Sequence, residues 1–359
     1  MNNLLGPEYY RSESVFKTEM EHLFPSCWVF AGLCQDLSRD GDWIAIRIGN
    51  IEVTIQNHEG ELHALHNVCS HRFAVMRVQP QGSGPLKCPY HGWMYDAEGH
   101  VSAVPARPRF SDLDEKKICE LKLLQFSVEC CGNLVFVKLN NQGPGLREYC
   151  GEAWNSLEQF SKALGVQLHA ATLRIAANWK LVVENSLESY HSGCVHPETF
   201  GYDRSNRFKI QTAETFARYE ESASPPVAAK WSRIEKAFAS RPVHIDEYVF
   251  YSLFPTFSID TLRGATYILN VIRPISLTET EVQFRMFATQ LSPRELENSA
   301  LVRAFNDYWA KMAPLVVEQD KNVCETVQVG LQQARFSATL SDEEERILAF
   351  QKCYKQYGL

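Results

Sequence analysis

The chain has 359 residues, 45% of them apolar and 22% charged, with a formal net charge of −7. That length suffices for two domains, each with its own core, and the composition is that of an ordinary globular protein. The acidic balance argues against a nucleic-acid surface, which needs a basic face, and no run approaches the ~20 apolar residues of a membrane span.

The first ten residues, Met1 to Tyr10, carry neither a basic region nor a long apolar stretch, so no signal peptide is expected and the expected compartment is the cytoplasm. Glu19 and His22 sit in a charged stretch and read as a solvated helix face. Of eleven cysteines, scattered ones such as Cys27, Cys119 and Cys353 read as free thiols in a reducing cytosol, behaving as small buried hydrophobes.

From Trp43 the apolar residues alternate with period two, over Trp43 to Ile48, Ile51 to Gln56 and Glu61 to Leu65. The turn pairs Gly49-Asn50 and Glu59-Gly60 punctuate them, which predicts an antiparallel meander. A last strand reads Leu134 to Lys138, and Asn140 to Gly145 is rich in the residues of a linker.

Between these strands stand two short clips, Cys69-Ser-His71 and Cys88-Pro-Tyr-His91. Each supplies one soft thiolate and one imidazole. A 2Fe–2S cluster with two histidines on one iron needs that ligand set, and neutral imidazoles raise its reduction potential above that of an all-cysteine cluster. Structural zinc also accepts two Cys and two His, but its clips usually pair like with like. With their surroundings, residues 66 to 72 and 88 to 93, the clips resemble those of the Rieske iron–sulfur family.

The second half mixes helices and strands. Trp154, Leu157, Phe160 and Leu164 keep one helical face apolar. Strands are expected at Tyr248 to Phe254, Tyr267 to Ile272 and Glu281 to Phe287. Ser292 to Glu295 forms a capping box with proline at the first helical position; a long helix broken near Pro314 should follow, and Ser341 to Glu344 starts another. The fold class is therefore α+β: a small all-β domain plus a catalytic domain whose curved antiparallel sheet packs on long helices. The expected domains are residues 1–27, an N-terminal helical segment packing with the catalytic domain, 28–140 and 141–359.

Residues 178–196 hold Glu188, His191 and His196. Read as a helix, the segment puts Glu188 and His191 three apart on one face, and the Gly193 bend swings His196 back. Two neutral imidazoles and one carboxylate with open positions describe a non-haem ferrous site. From the residues alone Glu188 is either the third ligand or part of a di-iron site, which wants two Glu-x-x-His pairs.

This segment resembles the mononuclear-iron box of the Rieske non-haem iron oxygenases, the catalytic components of ring-hydroxylating dioxygenases and of related monooxygenases and demethylases. The resemblance spans nearly the whole chain. It implies that Cys69, His71, Cys88 and His91 hold one 2Fe–2S cluster and that His191 and His196 hold one mononuclear Fe(II). It makes Glu188 a bridge between His191's site and His91 of a neighbouring subunit in a homotrimer. The family mostly has Asp where this chain has Glu188, one methylene longer. The third iron ligand is implied in a late helix, with Asp320 the match and Glu318 and Glu325 its competitors.

The resemblance further implies a terminal oxygenase that activates O2 and oxidises a small organic substrate by hydroxylation or oxidative demethylation. Aromatic-ring cis-dihydroxylation is an alternative, and a Rieske electron carrier without oxygenase activity is another. Electrons come from a separate NAD(P)H-dependent reductase, flavin and/or ferredoxin, because no Gly-x-Gly-x-x-Gly fingerprint is present. Phe200, Tyr202, Phe208, Phe216, Tyr219, Trp231, Tyr248, Phe250, Tyr251, Phe254 and Tyr267 are either pocket-lining residues for an aromatic or quaternary ammonium substrate or sheet core.

Overall fold

Alternation, turn chemistry and burial agree along the first meander. Ile44, Ile46 and Ile48 are buried while Arg47 between them is exposed, as a half-buried strand requires. At the turn, Gly49 has φ of +56°, and a side chain there would strike the backbone of Met20, so glycine is needed on both counts. The computed structural model describes residues 3–199, 207–222, 225–293, 295 and 299–358. The chain divides into two units, Glu19–Glu148 and the pair of segments Met1–Thr18 with Tyr149–Leu359.

In the first unit the strands are β1 (Val29–Leu33), β2 (Asp42–Ile48), β3 (Ile51–His58), β4 (Glu61–His66), β5 (Gln81–Ser83), β6 (Leu86–Lys87), β7 (Met94–Tyr95), β8 (Val101–Ala103), β9 (Gln125–Cys131) and β10 (Leu134–Lys138). They form a seven-stranded sheet in the order β1-β10-β9-β4-β3-β2-β5 and a small sheet β6-β7-β8. All five residues of β10 are buried, which marks the interior of the sheet. β1 and β9, which alternation did not single out, flank it on either side.

The second unit holds β11 (Leu164–Ile175), β12 (Arg207–Thr212), β13 (Phe216–Ser222), β14 (Tyr248–Leu253), β15 (Phe257–Leu262), β16 (Thr266–Ser276) and β17 (Glu279–Thr289). They make one curved antiparallel sheet in the order β11-β17-β16-β15-β14-β13-β12. Register places Met286, Ile268, Asp260, Phe250 and Tyr219 in one row across five strands, hence on one face. Ala313 and Val317 of the long helix Ala300–Leu331 pack on Met286 and Ile268, while Arg346 of the helix Glu345–Gln356 lies over Tyr219 and Phe250. Both helices therefore cover the same face of the sheet.

Several expectations are corrected. Leu164 opens β11 instead of closing the helix Trp154–Lys162; it pairs with Thr289, and Gly165 lets the strands approach because a side chain there would meet the Thr289 carbonyl. The long helix runs through Pro314 without a break, since the buried Ala313 cluster holds it on both sides. Glu19 is fully buried in a π-helical turn while His22 is exposed, so they share no solvated face. Cys119 is exposed, unlike Cys27 and Cys353. The capping contacts at Ser292 form, but the long helix starts at Ala300 behind its own cap, Ser299; at Ser341 the backbone N–H donates to Glu344 Oε2 while the hydroxyl has no partner among the described residues. Among the described residues no helix is long and apolar enough to cross a membrane.

Candidate metal centres

The two Cys–His clips fold alike. Cys69 N donates to Ala74 O at 2.9 Å and Phe73 N to Cys69 O at 2.9 Å; in the second clip Cys88 N donates to Trp93 O at 2.8 Å and Gly92 N to Cys88 O at 3.0 Å. Each loop closes on a residue of positive φ, Phe73 and Gly92. The isolated bridge Val68–Val75 and the strands β6 and β7 clamp their bases. Both cysteines are buried, at 1% and 2% exposure. The imidazoles of His71 and His91 face each other with ring centres 4.8 Å apart.

Three neighbours complete this pocket. Trp93 stacks on His71 at 4.8 Å and 3°, and Phe110 closes edge-on against both rings. The Tyr95 hydroxyl lies 3.1 Å from Cys69 Sγ and accepts from Ser70 N at 3.0 Å. Trp93 and Tyr95 follow the second clip at alternate positions, the signal by which they were findable in the sequence.

The donors fit a binuclear cluster. His71 Nδ1 is buried without a hydrogen-bond partner, an orphan that a metal bond would satisfy. Burial also pushes the His71 pKa down, keeping the imidazole neutral as a ligand must be. A tetrahedral zinc, with bonds of ~2.0–2.3 Å, would draw its ligand atoms within about 4 Å of one another. Among the described residues no three of these four atoms converge within 4.8 Å, although other trios do. Two irons, one with the sulfurs and one with the nitrogens, account for that spacing.

The second site grows from the end of the helix Trp179–Ser186. Asn178 caps it by accepting from Lys180 N at 3.0 Å, and the helix stops at Leu187. Glu188 and His191 therefore do not share a helical face, contrary to the sequence reading. A turn joins them: Glu188 Oε2 accepts from His191 N at 3.1 Å, and Oε1 is hydrogen-bonded to His191 Nδ1. The short helix Ser192–Val195 then delivers His196, which is 1% exposed.

His191, His196 and Asp320 converge. Asp320 Oδ1 lies 3.3 Å from His191 Nε2 and 3.0 Å from His196 Nε2. His196 Nδ1 is held by Gln319 Oε1 at 2.7 Å, a residue that sequence reasoning missed because nothing but its place beside Asp320 signals it. Each imidazole is thus gripped at Nδ1 and aims Nε2 at one carboxylate. Burial disfavours charge on His191, but hydrogen bonds to Asp320 and Glu188 outweigh it and hold its pKa up at about 9. His196 is raised likewise, burial again being outweighed by Asp320 and Gln319. The Asp320 carboxyl, despite its burial, is held below the usual range by the two imidazoles.

The competing acids point elsewhere. Glu318 is half exposed and pairs with Lys321 at 3.4 Å, while Glu325 accepts from Ala176 N at 3.0 Å. Glu188 occupies the far nitrogen of His191 from Asp320, outside the convergence. A second trio, Asp96, Glu98 and His100, is a surface turn closed by its own hydrogen bonds. Of the aromatic candidates, Phe216, Tyr219, Phe250, Tyr251, Phe254 and Tyr267 are buried in or beside the sheet. Trp231 belongs to a separate cluster with Phe238 and Val302, Phe208 is 41% exposed, and Phe200 and Tyr202 lie outside the described residues.

Comparison with known proteins follows this division. Residues 27–126 match the Rieske 2Fe–2S domain family and residues 162–358 match the ring hydroxylating alpha subunit (catalytic domain) family. The glycine betaine monooxygenase oxygenase subunit of Pseudomonas aeruginosa is 31% identical over 196 residues, 54% of this chain and 45% of that protein. The N,N-dimethyl phenylurea N-demethylase subunit alpha of Sphingobium sp. is 32% identical over 207 residues, 54% of this chain and 44% of that protein. The matches thus span less than half the length of these curated relatives. The solved structure of a quaternary ammonium Rieske monooxygenase, described with carnitine oxidation by gut microbiota and inter-subunit electron transfer, superposes with a TM-score of 0.79. It covers 99% of this chain and 95% of that one at 19% identity, which shows a common fold. With the catalytic family matched over more than half of its residues, downstream of the Cys–His clips, this chain belongs to the ring-hydroxylating alpha subunits, whose Rieske 2Fe–2S domain precedes a mononuclear-iron catalytic domain.

Proposed function

We propose that this chain is the terminal oxygenase of a multicomponent system, oxidising a small N-methylated or quaternary ammonium substrate with O2 by hydroxylation or oxidative demethylation. The observation that carries the reading is the convergence of His191, His196 and Asp320 on one point in a chain that also bears the paired Cys–His clips. Relatives named for glycine betaine and for N,N-dimethyl phenylurea support N-methyl substrates. The proposed ligands are Cys69, His71, Cys88 and His91 for the cluster, and His191, His196 and Asp320 for the mononuclear iron.

When bound, the two iron groups supply one-electron storage and oxygen activation. The chain's residues do the positioning. Gln319 and Glu188 fix the ring orientation of the two histidines and raise their basicity, as outer carboxylates and amides do at metal sites. Two histidines and one carboxylate leave open positions for substrate and O2. His91 is exposed on its loop, so it is available to a neighbouring subunit. Glu188 would link that subunit's His91 to His191, in a homotrimer or a multiple of it. A separate NAD(P)H-dependent reductase, carrying flavin and/or ferredoxin, would supply the electrons, in the cytoplasm.

The test is anaerobic iron and acid-labile sulfide analysis, followed by oxygen uptake with a generic reductase. Three irons per chain, two of them with sulfide, and uptake that depends on an N-methyl substrate are expected. Two irons alone would replace the oxygenase by an electron carrier. Uptake driven only by aromatic hydrocarbons would move the reaction to ring dihydroxylation.

A further inference from the structure

Arg346 stands second in the helix Glu345–Gln356 and carries its guanidinium to the covered face of the sheet. There it lies 4.3 Å from the ring centre of Tyr219 and 5.3 Å from that of Phe250. It is 2% exposed. Among the described residues it makes no hydrogen bond and no ion pair, and its Nε is a buried donor without a partner.

The fold does not treat its other buried arginines this way. Arg77 donates to Thr54 Oγ1, Gln56 Oε1 and Gly84 O; Arg241, although its Nε is also unpartnered among the described residues, donates to Phe238 O and Glu235 Oε1. A buried charge without hydrogen bonds is costly. Stacking on aromatic faces recovers part of that cost but uses none of the five N–H donors.

The carboxylates nearest in charge, Glu188 and Glu221, are already engaged. They favour the cation, whose pKa burial otherwise pushes down to about 10, yet Glu188 holds His191 and Glu221 accepts from Tyr219 Oη at 2.9 Å. Tyr219 Oη in turn accepts from Ser189 Oγ at 3.1 Å, so the ring under the guanidinium is bonded into the loop that carries His191. Arg346 also lines, with Ser186, Leu187, Ala217 and Ser258, a cavity of about 30 Å³ between that helix end and the sheet. Such a space takes one or two water-sized groups, the bulk of a carboxylate.

We infer that Arg346 is an anion subsite of the substrate pocket and takes the carboxylate of an N-methylated amino acid or betaine. The inference rests on the oxygenase reading above. A guanidinium meets a carboxylate with two parallel hydrogen bonds. Glu188 and Glu221 close by disfavour a phosphate dianion more than a singly charged carboxylate. Choline and a phenylurea lack that carboxylate, so an Arg346-dependent preference would separate the two substrate classes.

The test is calorimetric titration of the holoprotein with glycine betaine, with choline, which has a hydroxymethyl group in place of the carboxylate, and with acetate, the carboxylate alone. Glycine betaine should bind about tenfold or more tightly than choline, acetate should compete with it, and both effects should vanish in Arg346→Gln. Arg346→Met controls for folding: removing an unpaired buried charge should leave Tm equal or raised, whereas an arginine needed for the fold would lower it. Choline binding as tightly as glycine betaine, or a preference unchanged in Arg346→Gln, overturns the subsite. Arg346-dependent acetate binding without oxygen uptake on any N-methyl compound keeps the subsite and overturns the oxygenase reading. Uptake that ignores Arg346 does the reverse.

Discussion

Glu188 grips His191 at two atoms, accepting its backbone N–H at 3.1 Å through Oε2 and meeting its Nδ1 through Oε1. The same contact orients the imidazole so that Nε2 faces Asp320, and it leaves Glu188 outside the convergence of His191, His196 and Asp320.

Glu188→Gln keeps the side-chain length and removes the charge. Both metal contents should remain by iron analysis and the cluster spectrum should be unchanged, while coupled turnover falls about 10–100-fold, the usual scale for losing an outer partner of a metal-bound histidine. A wild-type rate in this variant ends the bridging role.

Asp320→Ala removes the carboxylate on which both Nε2 atoms converge. The mononuclear iron should be lost and substrate-dependent oxygen uptake abolished, with the optical spectrum of the cluster retained. Full iron occupancy would transfer the third ligand to another acid.

The pH dependence follows from His191, whose pKa is raised from 6.5 to about 9 because hydrogen bonds to Asp320 and Glu188 outweigh its burial. A group raised on folding stabilises fully below its unfolded value and loses that contribution as pH climbs through the folded one. Chelator-treated protein should therefore lose Tm between pH 6.5 and 9. Fe(II) binding needs the neutral imidazole, so the Tm gained on adding Fe(II) should grow over the same window. Scanning calorimetry with and without chelator reads both, and a flat Tm for the chelated protein contradicts the assignment.

Tyr95→Phe deletes the hydroxyl 3.1 Å from Cys69 Sγ. Hydrogen bonds to cluster sulfurs raise the reduction potential. A neutral bond of about 1 kcal/mol corresponds to roughly 40 mV for one electron. The midpoint should fall by about that amount in a redox titration, with the cluster retained; an unmoved midpoint removes Tyr95 from the tuning of the site.

Much of the fold was legible because its signals are local. Alternation gave β2, β3 and β4, since side chains point to opposite faces with period two, while β10 was read as a short apolar run. Alternation missed β1, β11, β13 and β15, where both faces are covered or a glycine or polar residue interrupts the pattern, and β9 and β12, where only two apolar positions other than cysteine carry the alternation, Phe126 and Val128 in one and Phe208 and Ile210 in the other. Pro314 suggested a break on local grounds, and the packing of Ala313 against Phe284 and Met286 overrode it. The turn at Leu187 was hidden for the opposite reason: the helical spacing of Glu188 and His191 is satisfied equally by a loop.

By itself the sequence supplied the candidate donors of the first centre, because each Cys–His clip is closed by hydrogen bonds within a few residues. It also supplied His191 and His196, five positions apart on one short segment. The resemblance already singled out Asp320 over Glu318 and Glu325, but only the tertiary structure brought it to a histidine 124 residues earlier and set Gln319 behind His196. Only it buried Arg346 against Tyr219 without a hydrogen-bond partner among the described residues. Helical spacing says which acids share a face; which acid meets a histidine across the chain depends on how the long helix docks on the sheet, and that is decided by packing.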